Sequence, residues 1–142
     1  MKCYCNSNTE FDRCCKPRII GTSQAETAEQ LMRSRYSAYV QADIGYLLNS
    51  HHKSTRPTKE RKNILKWAKS VKWIGLEIIS TEKGKATDTE GYVEFKAFFE
   101  ENGKMECIHE KSYFVKEMIF GIINRGFIIN LGRKAIHTNT KG

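Results

Sequence analysis

The chain is expected to fold as α+β, with helices packed on one curved antiparallel sheet and a small cysteine knuckle in front. Three observations predict this. Four of the five cysteines fall within the first fifteen residues. Between Ser23 and Ser70 the apolar residues recur at helical spacing. From Lys72 onward they alternate, as in half-buried strands, and an Asn102-Gly103 pair marks a hairpin. Helices followed by hairpin-spaced strands suit a sheet wrapped over one long helix, a cone whose open end makes a cavity. A length of 142 residues fits one such domain plus a small appendage.

The cysteines come first. Cys3 and Cys5 form a C-x-C pair, and Cys14 and Cys15 follow after eight residues. Zinc takes four thiolate or imidazole ligands in a tetrahedron, and two such pairs can approach it from opposite sides. Asn6, Ser7 and Asn8 suit a tight turn, because Asn tolerates the left-handed conformation. Phe11 can cover the site, and Lys2, Arg13, Lys16 and Arg18 balance the charge of four thiolates. The alternatives are a pair of disulfides, redox-active thiols or unrelated free cysteines. With Met1 two residues before Cys3, no signal peptide is expected ahead of the cysteines. The expectation is therefore a cytoplasmic setting, where clustered thiols stay reduced and bind metal.

The remaining elements follow in order. Lys16 to Thr22 reads as a linker broken by Pro17 and Gly21, with Ile19 and Ile20 pinning the knuckle to the domain. A first long helix is expected from a Ser23 cap, with Glu26 completing a capping box, to about Ala42. Ala28, Leu31, Met32, Tyr36 and Tyr39 share its apolar face, and Arg35 sits among them. Asp43 to Asn49 predicts a short second helix. His51 to Pro57 reads as a polar loop whose two adjacent histidines are a weak metal signal. Thr58 to Ser70 predicts a third helix with one strongly basic side. In the strands, Ile74, Leu76 and Ile78 are expected inward, then Val93, Phe95, Ala97 and Phe99, then Ile108, Glu110, Ser112 and Phe114. Asn124-Arg125-Gly126 reads as a turn, Phe127 to Leu131 as the last strand, and 134–142 as a tail.

Cys3-Tyr4-Cys5-Asn6-Ser7-Asn8 followed by Phe11-Asp12-Arg13-Cys14-Cys15 resembles the SEC-C zinc motif, best known from the end of the SecA translocase. Leu31 to Tyr39, Tyr46-Leu47-Leu48, His52 to Pro57 and His109 to Phe114 extend the resemblance across most of the chain, to the YchJ family. The resemblance implies a SEC-C-type motif over 1–18, a nuclear transport factor 2-like (cystatin-like) domain over 19–133, and zinc on Cys3, Cys5, Cys14 and Cys15. The motif usually carries glycines where Asn6 and Asn8 stand. The resemblance brings no reaction with it.

Composition narrows the function. Apolar residues at 39% and charged residues at 28% fit a globular protein, and no apolar run approaches the ~20 residues of a membrane span. The net charge of +8 and pI near 9.3 attract polyanions. One basic cluster gathers Lys53, Arg56, Lys59, Arg61, Lys62, Lys66 and Lys69. The candidate pocket residues are Arg35, Tyr36, Tyr39, Glu110 and Ser112, with His52 at the rim, and Arg35 is expected to pair with Glu110. Cys107 lacks any activating neighbour in the sequence. There is no phosphate-binding glycine loop and no nucleophile elbow. Three functions follow as expectations. The first is a non-enzymatic adaptor that docks a macromolecular partner, a protein or the ribosome, through the knuckle. The second is a small-molecule-binding protein or enzyme using the cone. The third is RNA or ribosome binding through the basic surface.

Overall fold

The computed structural model describes residues 1–119, 122–129 and 136–141, with side chains described for 1–116 and 127–129. Helices α1 (Cys15–Ile20), α2 (Ala28–Val40), α3 (Ile44–Asn49) and α4 (Arg61–Ser70) precede strands β1 (Lys72–Lys83), β2 (Glu90–Glu101), β3 (Lys104–Ile119), β4 (Ile122–Ile129) and β5 (Ile136–Lys141). Short 3-10 turns over Phe11–Arg13 and Thr58–Glu60 lead into α1 and α4. The sheet is antiparallel in the order β1-β2-β3-β4, and β5 also pairs with β3.

The expected linker is a helix. Pro17 lies in the first turn of α1, where its missing N–H costs no hydrogen bond. Gly21, at φ 90, ends the helix in the left-handed conformation and donates its N–H to the Pro17 carbonyl. Ile19 packs on the core, as expected, but Ile20 is exposed. The long helix starts later than the Ser23 cap predicts. Thr27 caps it by accepting a hydrogen bond from the Gln30 N–H, and the chain before it is held by Ala25, whose carbonyl accepts from Phe127.

α2 is buried on more than its apolar face. Ser34 and Ser37 are fully buried beside Leu31, Met32 and Tyr36. The sheet covers one side of the helix, α3 another, and the knuckle with α1 a third. Asp43 caps α3 by accepting a hydrogen bond from the Tyr46 N–H. α4 presents Ile64, Leu65, Trp67 and Ala68 inward and its lysines outward.

β2 alternates as expected, with Val93, Phe95, Ala97 and Phe99 buried. Asn102 and Gly103, both at positive φ, close the β2–β3 hairpin in two residues. β1 departs from expectation. A register shift between Trp73 and Gly75 turns Trp73 inward against Tyr36, Tyr39, Trp67 and Phe99, and leaves Ile74 exposed. Leu76 and Ile78 then resume the inward phase. On β3, Ser112 and Phe114 are buried, Ile108 packs against the core, and Glu110 shares their face.

Two further expectations are corrected along the edge of β3. Asn124, Arg125 and Gly126 lie inside β4 rather than in a turn. Within the segment read as a tail, 136–141 forms β5. β3 is long enough for both: β4 pairs with its residues 114–119 and β5 with 106–111. Leu131, expected in the last strand, lies outside the described residues. Phe127, Ile128 and Ile129 are all buried, because this end of β4 is wedged between β3 and the chain after α3. Ile129 donates to Ser50 and accepts from the His52 N–H.

Candidate metal centre and neighbouring groove

The knuckle is a closed loop built on backbone hydrogen bonds. Lys2 and Glu10 face each other in an antiparallel bridge, the Cys3 N–H donates to Thr9 at 2.8 Å, and the Phe11 N–H donates to Met1 at 3.0 Å. At the tip Asn6 and Asn8 take φ of 64° and 67°, the left-handed turn expected of them. The 3-10 turn then delivers Cys14 and Cys15 opposite the first pair. Phe11 packs edge-on against Tyr4, with ring centres 5.3 Å apart.

All four sulfurs lie within 4.8 Å of one another. Cys5 Sγ is 3.6 Å from Cys14 Sγ, which is 3.9 Å from Cys15 Sγ. A disulfide needs about 2.05 Å, and all five cysteines are free thiols. A tetrahedron with bonds of about 2.3 Å has edges of about 3.8 Å, so the spacing fits a four-thiolate metal site. Cys3, Cys5 and Cys15 are buried and Cys14 is half-buried. Hydrogen bonds from Cys15 and Cys5 hold the Cys3 thiol far below its ordinary range. The same contacts with Cys3 and Cys5, with burial behind them, push Cys15 far up, and burial pushes up Cys14. Four clustered thiols in a dry site cannot all ionise unless a cation sits among them. The donor set therefore fits a thiolate-binding dication, and Cys3, Cys5, Cys14 and Cys15 are the residues that can hold it.

Side chains other than the cysteines brace this centre. Ser7 Oγ lies 3.1 Å from Cys14 Sγ, and Ser37 Oγ on α2 lies 3.5 Å from Cys3 Sγ. Arg33 donates to the Cys5 carbonyl at 2.7 Å and to Glu29 at 2.9 Å. Arg18 donates to the Cys14 carbonyl at 2.7 Å. Asn6 Oδ1 accepts from the Leu76 N–H at 2.7 Å, which ties the knuckle to β1. Neither Ser37 nor Arg33 is singled out by the sequence. Their spacing of four residues on α2 was the available signal, since it puts both on one face.

Among the described residues, the candidate pocket residues have separate surroundings. Arg35 is buried and donates to the Leu47 carbonyl at 2.8 Å and to Ser50 Oγ at 2.6 Å. The expected hydrogen bond to Glu110 is replaced by these α3 partners, and Glu110 acts on Arg35 only through space, behind Tyr39 and Tyr46. Tyr36 and Tyr39 are packed into the aromatic cluster around Trp73. His52 Nδ1 meets Ser54 Oγ at 2.8 Å in the loop. Ser112 is buried, and its Oγ has no hydrogen-bond partner. None of the six lines the groove of about 560 Å³ that lies between α1, the 21–25 segment, α2, α3 and β4. Arg18, Tyr46, Ser50 and Phe127 are among the residues that do.

A four-cysteine knuckle seated on a sheet wrapped over one long helix defines a class: a SEC-C-type motif joined to a nuclear transport factor 2-like domain. The family model for the YchJ middle NTF2-like domain matches residues 27–119. A UPF0225 protein of Geobacter sulfurreducens is 43% identical over 114 residues, covering 80% of this chain and 71% of that one. One from Vibrio cholerae is 40% identical over 117 residues, covering 82% and 76%. A SEC-C motif containing protein from Psychrobacter arcticus superposes with a TM-score of 0.79 at 29% identity, covering 92% of this chain and 80% of that one. Another from Rhodopseudomonas palustris gives 0.79 at 26% identity, covering 97% and 99%. The chain belongs to the YchJ family of UPF0225 proteins.

Proposed function

We propose that the four cysteines hold one zinc ion and that the chain is a binding module whose zinc-tied knuckle docks a macromolecular partner. The observation that carries this reading is the closure of the cysteine cluster. A tetrahedral ion held by four thiolates keeps no position for water or substrate, so zinc here would supply rigidity rather than catalysis. Outside that closed centre, Lys2, Arg13 and Lys16 are exposed. So are Lys53, Lys59, Arg61, Lys62, Lys66 and Lys69 on and before α4. Arg56 is not part of this row, because its guanidinium is spent on the His51 carbonyl. A partner with an acidic surface, a protein or the ribosome, suits such a face. Reduced thiols at the site go with a cytoplasmic setting. Among the described residues no helix is long and apolar enough to cross a membrane.

The exposed basic row also favours a second reading, in which RNA is the feature recognised. The cone reading gains less, because Arg35 already has its partners within the protein. The test compares zinc-loaded native protein with Cys14→Ser for ribosome binding from low to physiological salt. Docking through the knuckle predicts that Cys14→Ser loses most of the binding at every salt. Equal binding by both proteins, falling steeply with salt, would replace it with phosphate neutralisation by α4.

A further inference from the structure

We propose that a second copy of this chain packs on the outer face of the sheet, the face turned away from α2, through a two-fold axis that crosses the strands at the Phe98–Cys107 pair. The proposal stands apart from the zinc and docking readings. Strand alternation fixes which residues lie on this face. Val93, Phe95, Ala97 and Phe99 of β2 are buried inward, so Lys96, Phe98 and Glu100 point out. In register with them, β3 places Met105 opposite Glu100, Cys107 opposite Phe98 and His109 opposite Lys96. On the other side, β1 places Lys72 opposite Glu100, Gly75 opposite Phe98 and Glu77 opposite Lys96. The middle row is apolar. Phe98 and Cys107 are half-buried, and Ile74, pushed out by the bulge beside Gly75, is 45% exposed. Met105, 43% exposed, extends the patch. Apolar side chains gathered in one exposed patch mark a contact surface.

The charges around that row decide what covers it. Lys72 and Glu100 flank it on one side, Glu77 and Lys96 on the other. None of these four makes an ion pair among the described residues. Further along the same face, Glu94 with His109 and Glu82 with Lys111 are already paired within the chain. A two-fold axis laid across the strands along the row exchanges its two sides. It sets Lys72 over Glu77 of the second copy and Lys96 over Glu100 of the second copy, and each contact occurs twice. Phe98 then meets Phe98, and Cys107 meets Cys107, at the axis. An axis parallel to β2 would instead set Lys96 on Lys96 and Glu100 on Glu100. Sheets packed face to face lie about 10 Å apart, which leaves room for one layer of side chains from each. A face that is its own complement under one rotation fits a closed dimer rather than a foreign partner.

Sedimentation equilibrium of the full native chain should give twice the chain mass of 16.4 kDa. The dissociation constant should be about 10 μM or tighter. Lys96→Glu sets like charge against Glu100 of the second copy and should weaken the dimer about tenfold or more. Lys96→Glu combined with Glu100→Lys exchanges the charges across the axis and should restore it. A repair of that kind is not expected from a surface that merely holds the sheet together. A short bismaleimide should join two native chains through Cys107, as mapped by mass spectrometry. If Lys96→Glu fails to fold, the Cys107 link decides. A native chain that sediments as a monomer, a dimer untouched by Lys96→Glu, or a dimer without the Cys107 link would overturn the proposal.

Discussion

Asn6 carries two tasks at one position. Its backbone makes the left-handed turn, and its side chain accepts from Leu76 on β1. Glycine there could do only the first. The close approach also explains Gly75, where a Cβ would stand 2.8 Å from Asn6 Oδ1. Asn6→Gly should keep the turn yet cost about 1–2 kcal/mol, because the Leu76 N–H loses its acceptor. Urea unfolding should show a lower midpoint at constant slope, and an unchanged midpoint would remove Asn6 from the clamp. The turn was legible in the sequence because Asn chemistry is local. The clamp was not, because it depends on a strand seventy residues away. His51 is a second case. It is buried with Nε2 at 3.0 Å from Thr55 Oγ1, and burial, then Arg35 and Arg56, lowers its pKa from 6.5 to about 4. The unfolded chain therefore takes up this proton first as the pH falls. The contribution of His51 is complete above pH 6.5, declines toward pH 4 and is gone below it. His51→Gln should flatten the fall in melting temperature over that window relative to the native protein. Parallel curves for the two would contradict the assignment.

Among the elements, α2 decides what the others can do. Its helical periodicity marked one apolar face, but Ser34 and Ser37 on its other sides are equally buried. Periodicity reports apolar burial only. It cannot reveal a face covered by a knuckle and a short helix that meet it through hydroxyls. The β1 phase was misplaced for a related reason, since a bulge leaves no mark in an alternating pattern and both Trp73 and Ile74 look apolar. The strand within the expected tail left little mark in the sequence, because 136–141 is mostly polar and, among the described residues, pairs with β3 alone. Arg35 illustrates the difference at the α2–α3 junction. Helix periodicity correctly placed it inward, but its mates are the Leu47 carbonyl and Ser50 rather than Glu110. Arg35→Met should cost about 2–3 kcal/mol by leaving buried α3 acceptors unpaired. Adding Glu110→Leu should recover none of it. Thermal unfolding of the single and double variants measures this, and recovery in the double variant would restore the ion pair.

Across the whole molecule, the knuckle is not an appendage. Cys3, Cys5 and Cys15 belong to the same core cluster as Leu31, Phe95 and Phe127. An independent domain that keeps its core when the knuckle melts is the simplest picture from the sequence, and the packing argues against it. Chelation should therefore release Met1 to Cys15 and also lower the melting temperature of the domain, and re-adding zinc should restore both. An unchanged melting temperature on chelation would separate the two units again. The clustering of four cysteines and the order of helices before strands could be read directly, because cysteine spacing and hydrophobic period are local. The groove beside α1 could not, because it forms where four separated segments meet. The central claim is that these four sulfurs together hold one zinc ion in a closed site. Zinc-edge X-ray absorption on the metal-quantified native protein tests it most directly. The account predicts one zinc per chain with four sulfur neighbours at about 2.3 Å and no oxygen or nitrogen in the first shell. A light-atom neighbour, a stoichiometry well below one, or a Cys3–Cys14 disulfide in freshly purified protein would contradict it.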